Sequence, residues 1–335
     1  MMAILMASLV LAFATALTSG VLVIRAGVLD HPNARSSHER PTPRGGGLAV
    51  MAGVGLGGLL LALTGQAGLD LVPVLGAALA AGALGLADDL FALGAKEKFA
   101  ILLAISLSAA FAIGPVTVLD FGPVGLPLGY WIGIGGSALW IFTAANAVNF
   151  MDGSDGLIAA ALIPASVGLG LVSGEMTGFL LAASMAGFLY WNRPRAKLFL
   201  GDAGSLFAGT LFASAALAAV NGPGGVSVWI APLLVLPLLA DVLLTLAAKL
   251  RAKKRLSEAH RSHAYQLRLR MGESHLPVAA FFAFSGLMIA LASFSASRIG
   301  GVAPILTFLV MTATFSWYQV RVRARAKASG LDLTE

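Results

Sequence analysis

Residues 71–89 read Leu-Val-Pro-Val-Leu-Gly-Ala-Ala-Leu-Ala-Ala-Gly-Ala-Leu-Gly-Leu-Ala-Asp-Asp. No polar side chain interrupts this run before Asp88. At about 1.5 Å per helical residue it comes close to crossing a hydrocarbon layer roughly 30 Å thick. The pattern recurs: apolar runs occupy 3–24, 45–64, 71–87, 98–114, 129–148, 156–173, 176–191, 203–220, 228–250, 277–296 and 301–320. They are continuous and rich in Leu, Ala and Gly, whereas a membrane strand would alternate with period two. The sequence therefore predicts an all-α, polytopic membrane bundle of about eleven transmembrane helices. No internal repeat or Pro-rich linker divides it, so a single domain over 1–335 is expected. The first run lacks a preceding basic segment and exceeds a signal-peptide core, so it reads as a retained helix.

Composition agrees. Of 335 residues 58% are apolar and 11% charged, against a usual charged share of about 25%, too few charges to cover a soluble surface. The net charge of +6 would suit nucleic acid on a soluble domain. Here the basic residues lie between apolar runs, so the expected partner is the lipid bilayer and no nucleic acid. With the N-terminus outside, every Lys and Arg except Arg298 falls in an inside segment, as the positive-inside bias requires. That parity also sets the C-terminus in the cytoplasm. The absence of cysteine excludes disulfides, iron–sulfur clusters and thiol catalysis.

The chemistry-bearing residues gather at the predicted cytoplasmic helix ends. Asp88-Asp89 close the third apolar run, Asp152 and Asp155 open the sixth, and Asp202 opens the eighth. A carboxylate at the hydrocarbon edge is costly unless solvated, paired or metal-bound. Asp155 and Asp202 suit positive helix N-termini, whereas Asp88-Asp89 oppose the dipole of their own helix and call for a cation. Glycines flank the acids in Asp152-Gly153, Asp155-Gly156 and Gly201-Asp202, where phosphates could approach backbone amides. Hard carboxylates beside phosphate point to Mg²⁺ or Mn²⁺. The segment His260-Arg261-Ser262-His263-Ala264-Tyr265-Gln266 could hydrogen-bond a sugar and clamp a diphosphate. The turn-rich loop 30–47 adds Arg35, Arg40 and Arg44, as phosphate binders or topology anchors. No Gly-x-x-x-x-Gly-Lys-Ser/Thr loop is present. Gly53, Gly55, Gly57 and Gly58 read as helix-packing positions, and His31 and His275 lack the spacing of a metal site.

Taken in order, these motifs resemble the polyprenyl-phosphate N-acetylhexosamine-1-phosphate transferases, the superfamily that includes the phospho-MurNAc-pentapeptide translocase. The resemblance runs over nearly the whole chain. It is carried by Asp30-His31-Pro32-Asn33-Ala34-Arg35 with Pro41-Thr42-Pro43-Arg44-Gly45-Gly46-Gly47, and by Asp88-Asp89 with Leu93, Lys96 and Lys98. It continues through residues 146–157 (Asn-Ala-Val-Asn-Phe-Met-Asp-Gly-Ser-Asp-Gly-Leu), Phe199-Leu200-Gly201-Asp202-Ala203-Gly204-Ser205 and the His260 loop. The resemblance implies attack of undecaprenyl phosphate on a UDP-N-acetylhexosamine, giving undecaprenyl-diphospho-sugar and UMP at the cytoplasmic face of a bacterial inner membrane.

The same resemblance implies roles. Asp202 would ligate Mg²⁺ directly with Asp155 beside it, Phe199 would contact the uracil, and Lys98 with Lys96 would neutralise phosphate. Asp88 and Asp89 would lie near the lipid phosphate, in a positioning role, while Asn149 and Asp152 shape the same pocket. Arg261 and Arg44 would bind substrate, and His260 and His263 would grip the sugar. The loop lacks both the His-x-His-His type and the three-histidine run of the pentapeptide translocases. It looks like the subgroup that starts O-antigen or capsule chains on GlcNAc, FucNAc or QuiNAc, the sugar itself staying open, as does a homodimer. The alternative is a transporter or flippase of nucleotide- or lipid-linked sugars, which would place charge nearer the midplane on repeated, broken helices.

Overall fold

The computed structural model describes residues 1–27, 29–30, 41–68, 70–254 and 261–333. Within them the regular structure is helical apart from two short β pairings, with turns and loops between. The order is α1 (Met2–Ala26), β1 (Leu29–Asp30), β2 (Thr42–Pro43), α2 (Gly46–Leu63), α3 (Leu71–Phe91), α4 (Ala95–Ile113), β3 (Val118–Asp120), β4 (Gly125–Pro127) and α5 (Tyr130–Met151). There follow α6 (Leu157–Ser173), α7 (Met176–Asn192), α8 (Gly201–Asn221), α9 (Ile230–Leu234), α10 (Leu236–Arg251), α11 (Ala264–Arg270), α12 (His275–Ile299) and α13 (Ala303–Ala328).

Every predicted apolar run is helical, and six helices (α1, α2, α3, α5, α8 and α12) are long and apolar enough to cross a membrane. The protein is thus an all-α, multi-pass membrane protein. Two details add to the pattern of apolar runs. The ninth run is broken at Val235 into α9 and α10; Pro237 has no N–H to give and its ring disfavours a continuous helix before it. The short helix α11, within the histidine loop, lies in none of the apolar runs.

Helix α8 is the axis of the bundle. Every residue from Ala203 to Ala219 is buried, with α3 along one flank, α5 along another, and α2 and α7 beyond. A helix apolar on all sides belongs at a centre and not at a surface. In a bilayer its neighbours are held by close van der Waals packing, which favours small residues at the crossings. Gly85 of α3 shows why: a Cβ there would run into the backbone of Asp202 and Ala203. Gly47 of α2 and Gly204 of α8 meet backbone to backbone in the same way. Of the α2 glycines, Gly53 and Gly57 pack against α1 and α7, while Gly55 faces open space.

The two ends of the bundle differ in kind. At one end β3 and β4 form a hairpin, and Asp120 accepts the Val228 amide at 3.0 Å. At the other, the ends of α2, α3, α5, α6, α8 and α12 converge with α11. There the α7–α8 connection joins the start of α2 through main-chain atoms. Phe199 N–H donates to the Pro43 carbonyl, and Gly46 and Gly47 donate to the carbonyls of Phe199 and Leu200, each at 2.8 Å.

Candidate active site

The convergent end encloses a cavity of about 230 Å³. Its walls carry five acids, Asp30, Asp89, Asp152, Asp155 and Asp202, and two arginines, Arg44 and Arg261, together with Phe199, Asn192, Ser154, Gln266 and Leu269. The acids come from four separate stretches of chain: Asp30 from β1, Asp89 from the end of α3, Asp152 and Asp155 from the loop between α5 and α6, and Asp202 from the start of α8.

The adverse dipole at the end of α3 is answered within the protein. Asp88 accepts Lys98 Nζ at 2.8 Å on one oxygen and the Leu93 amide at 2.8 Å on the other. Asp89 reaches across to the N-terminus of α8, accepting the amides of Asp202 at 3.3 Å and Ala203 at 3.1 Å. Its carboxylate thus leaves one helix's negative end for another's positive end. Arg44 lies 3.5 Å from the Asp89 carboxylate and also donates to its backbone carbonyl.

Lys98 is shared. Besides Asp88 it pairs with Asp202, whose other oxygen accepts Asn149 Nδ2 at 3.0 Å; the same amide donates to Ser205 Oγ at 2.9 Å. Lys98 of α4 and Asn149 of α5 therefore aim the Asp202 carboxylate, and Ser205 steadies the Asn149 amide. The acid loop after α5 is held differently. Asp155 Oδ2 accepts the Ala196 amide at 2.9 Å, and the Asp155 amide donates to His275 Nδ1 at 3.1 Å, with Ser154 Oγ 3.0 Å from the same nitrogen. Asn192 accepts the Gly156 amide at 2.9 Å and donates to the Leu198 carbonyl at 3.0 Å. Burial above all, then the carboxylates of Asp202, Asp89 and Asp155, push the Asp152 carboxyl well above the usual carboxylate range.

The structure brings together most of the residues singled out by sequence. Asp89, Asp152, Asp155, Asp202, Arg44, Arg261 and Phe199 share the cavity wall. Asp88, Lys98 and Asn149 stand directly behind it, in contact with Asp202 or its partners. Lys96 is exposed on the first turn of α4. His263 is placed otherwise than expected: it is 4% exposed and turned inward, its Nδ1 3.3 Å from Asp241. A ring committed to an internal carboxylate is not available to grip a sugar. His260, like His31, Arg35 and Arg40, lies outside the described residues. Sequence reasoning missed His275, Asn192 and Ser205, and it named Gln266 only as a member of the loop.

Among the described residues no three acidic or imidazole groups converge as a self-sufficient metal cage. That agrees with Mg²⁺ practice, in which one or two carboxylates act with substrate phosphates and retained waters. Asp202, with Asp155 on the same wall, fits that donor set.

A multi-pass helical membrane protein with an acid-lined, arginine-flanked cavity at one end of the bundle is equipped to handle phosphorylated substrates beside a bilayer. Comparison with known proteins gives the class its name. Residues 71–220 match Glycosyl transferase family 4. The chain is 32% identical to the decaprenyl-phosphate N-acetylglucosaminephosphotransferase of Mycobacterium leprae over 310 residues, covering 81% of this chain and 77% of that one. It is 28% identical to a probable undecaprenyl-phosphate N-acetylglucosaminyl 1-phosphate transferase of Bacillus subtilis, over 76% of this chain and 73% of the relative. It is also 29% identical to the phospho-N-acetylmuramoyl-pentapeptide-transferase of Symbiobacterium thermophilum, over 84% and 92%. The chain belongs to the polyprenyl-phosphate N-acetylhexosamine-1-phosphate transferase superfamily, within glycosyl transferase family 4.

Proposed function

We propose that the protein transfers an N-acetylhexosamine 1-phosphate from a UDP-sugar to undecaprenyl phosphate, initiating a cell-surface glycan of the O-antigen or capsule type. The observation that carries this reading is the shared cavity of Asp89, Asp152, Asp155, Asp202, Arg44 and Arg261 at one end of the bundle. A phosphate oxygen of the lipid attacks the β-phosphorus of the donor; the new P–O–P bond forms as the bond to UMP breaks, and UMP leaves with the electron pair. The acceptor oxygen is already ionised, so positioning and charge neutralisation matter more than a strong base. Asp88 and Asp89 accordingly act by holding Lys98, Arg44 and the α8 N-terminus in place.

The charge of the cavity supports a divalent ion. Five acids face two arginines in the cavity wall, so acidic groups outnumber basic ones there. Two phosphorylated anions do not enter such a space unaided. Mg²⁺ or Mn²⁺, bound through Asp202 with Asp155 alongside, would supply the positive charge and polarise the donor phosphates. Phe199 offers its ring to the uracil, Lys98 adds positive charge from behind the wall with Lys96 on the exposed turn beside it, and Arg261 with Gln266 meets the diphosphate-sugar. Asn149 aims Asp202 and Asp152 shapes the floor.

For topology we favour eleven crossings with the N-terminus outside and the site on the cytoplasmic face of the inner membrane, folded as one domain over 1–335. The supporting pattern is that Arg44, Lys98, Arg261 and Arg323 belong to the cavity end, whereas Arg298 borders the opposite one with Asp120. The relatives that transfer N-acetylglucosamine phosphate make UDP-GlcNAc the first donor to try. Purified protein given undecaprenyl phosphate, Mg²⁺ and a panel of UDP-N-acetylhexosamines should release UMP with at least one of them. No UMP from any donor, with lipid and protein both intact, overturns the proposal.

A further inference from the structure

Asp241 lies inside α10, 1% exposed, and takes no part in the cavity wall. A carboxylate buried in a membrane helix is costly, so its partners show what it is kept for. They lie on the loop across from it. One oxygen accepts the Ala264 amide at 2.8 Å and the other the Tyr265 amide at 3.2 Å, while His263 Nδ1 sits 3.3 Å from the first. These are the opening residues of α11, whose free amides suit a carboxylate.

The rest of α11 is clamped as firmly. Arg323 of α13 donates to the Ser262 carbonyl at 3.0 Å and to Thr245 Oγ1 at 2.8 Å, one turn beyond Asp241 on α10. Tyr265, 1% exposed, donates its hydroxyl to the Phe150 carbonyl at 3.3 Å, two residues before Asp152. The His263 amide donates to Gln266 Oε1 at 3.2 Å. Only the outward residues of this segment, Arg261, Gln266 and Leu269, reach the cavity. Helix α10 therefore sets the register of this part of the cavity wall through main-chain amides.

We propose that Asp241 is a positioning residue for the donor: it fixes the first turn of α11 so that Arg261 and Gln266 meet the diphosphate-sugar in one orientation. This rests on the transferase reading above. Small displacements of such groups cost rate or affinity out of proportion to their size.

The test is steady-state kinetics of UMP release with Asp241→Asn, Gln266→Ala and the double variant in full-length protein. Asp241→Asn should raise KM for the UDP-sugar about tenfold while KM for undecaprenyl phosphate stays within about twofold. In the Gln266→Ala background the same change should add less than about twofold, because the group being positioned is already gone. Additive effects, or equal shifts in both KM values, would overturn the proposal. Thr245→Val, a milder cut in the same clamp, should move donor KM in the same direction if Asp241→Asn fails to fold; an unchanged donor KM there counts against it. An inactive wild type would instead sink the transferase reading. The anchor is then judged by hydrogen exchange at residues 264–267: faster exchange in the variant supports it, unchanged exchange refutes it.

Discussion

His275 Nδ1 lies 3.1 Å from the amide nitrogen of Asp155, although 120 positions separate the two residues. Because that nitrogen accepts the amide proton, the ring proton resides on Nε2. The imidazole holds the main chain of the acid loop from the first turn of α12, while the Ala196 amide holds the Asp155 side chain. His275→Ala should therefore raise the Mg²⁺ concentration needed for half-maximal UMP release about tenfold, as loss of a partner behind a metal ligand commonly does. His275→Asn, whose side-chain oxygen can accept the same amide, should recover much of the loss. An unaltered Mg²⁺ titration in the alanine variant would remove His275 from this role.

Asp202 is aimed by Lys98 and Asn149 from two other helices. Asp202→Asn should lower UMP release about 100-fold or more, since a charge directed at the reacting phosphates is lost. Asn149→Ala removes only the aim and should cost less. Both variants should elute from size exclusion as the wild type does. Substantial turnover by Asp202→Asn would take this carboxylate out of the metal-binding set.

The metal should matter to catalysis and not to folding, because no cage of three protein ligands exists among the described residues. Treatment with EDTA should abolish UMP release, and added Mg²⁺ or Mn²⁺ should restore it, while the unfolding temperature in detergent stays the same. A large fall in that temperature would point to a structural metal instead.

Gly85 packs on the backbone of α8 at Asp202 and Ala203. Gly85→Val should destabilise the protein by about 1–3 kcal/mol, the usual cost of overfilling a tight crossing. It should also lower activity by displacing Asp202. Gly55→Val, on a helix face with open space, is the control and should behave as wild type. Thermal unfolding and UMP release on the same preparations decide the matter; equal stability of the two variants would contradict the packing argument.

What could be read from sequence was what short stretches of chain determine. Apolar runs of membrane length became helices because in lipid the backbone must hydrogen-bond to itself, and a helix does so within one run. The ninth run breaks at Val235, between Pro232 and Pro237, two residues that disfavour a straight helix. Asp89, Asp155 and Asp202 stood out because acids at apolar helix ends need a reason, and they line one cavity. Residues whose purpose depends on a distant partner gave no such sign. Nothing near His275 points to Asp155, and nothing near Asp241 points to the amides of Ala264 and Tyr265. His263 misled for the same reason: beside Arg261 and Gln266 it looked like one more ligand-facing group, but its partner comes from α10. Helix α11, at seven residues, is too short for periodicity to show.

The join between residues 43–47 and 199–200 is made of peptide groups that almost every amino acid possesses. Exchanging Phe199 for another side chain would alter what that wall offers the cavity while the seam beneath stayed sewn. A protein built this way can acquire a new molecular taste one letter at a time, without first having to relearn its shape.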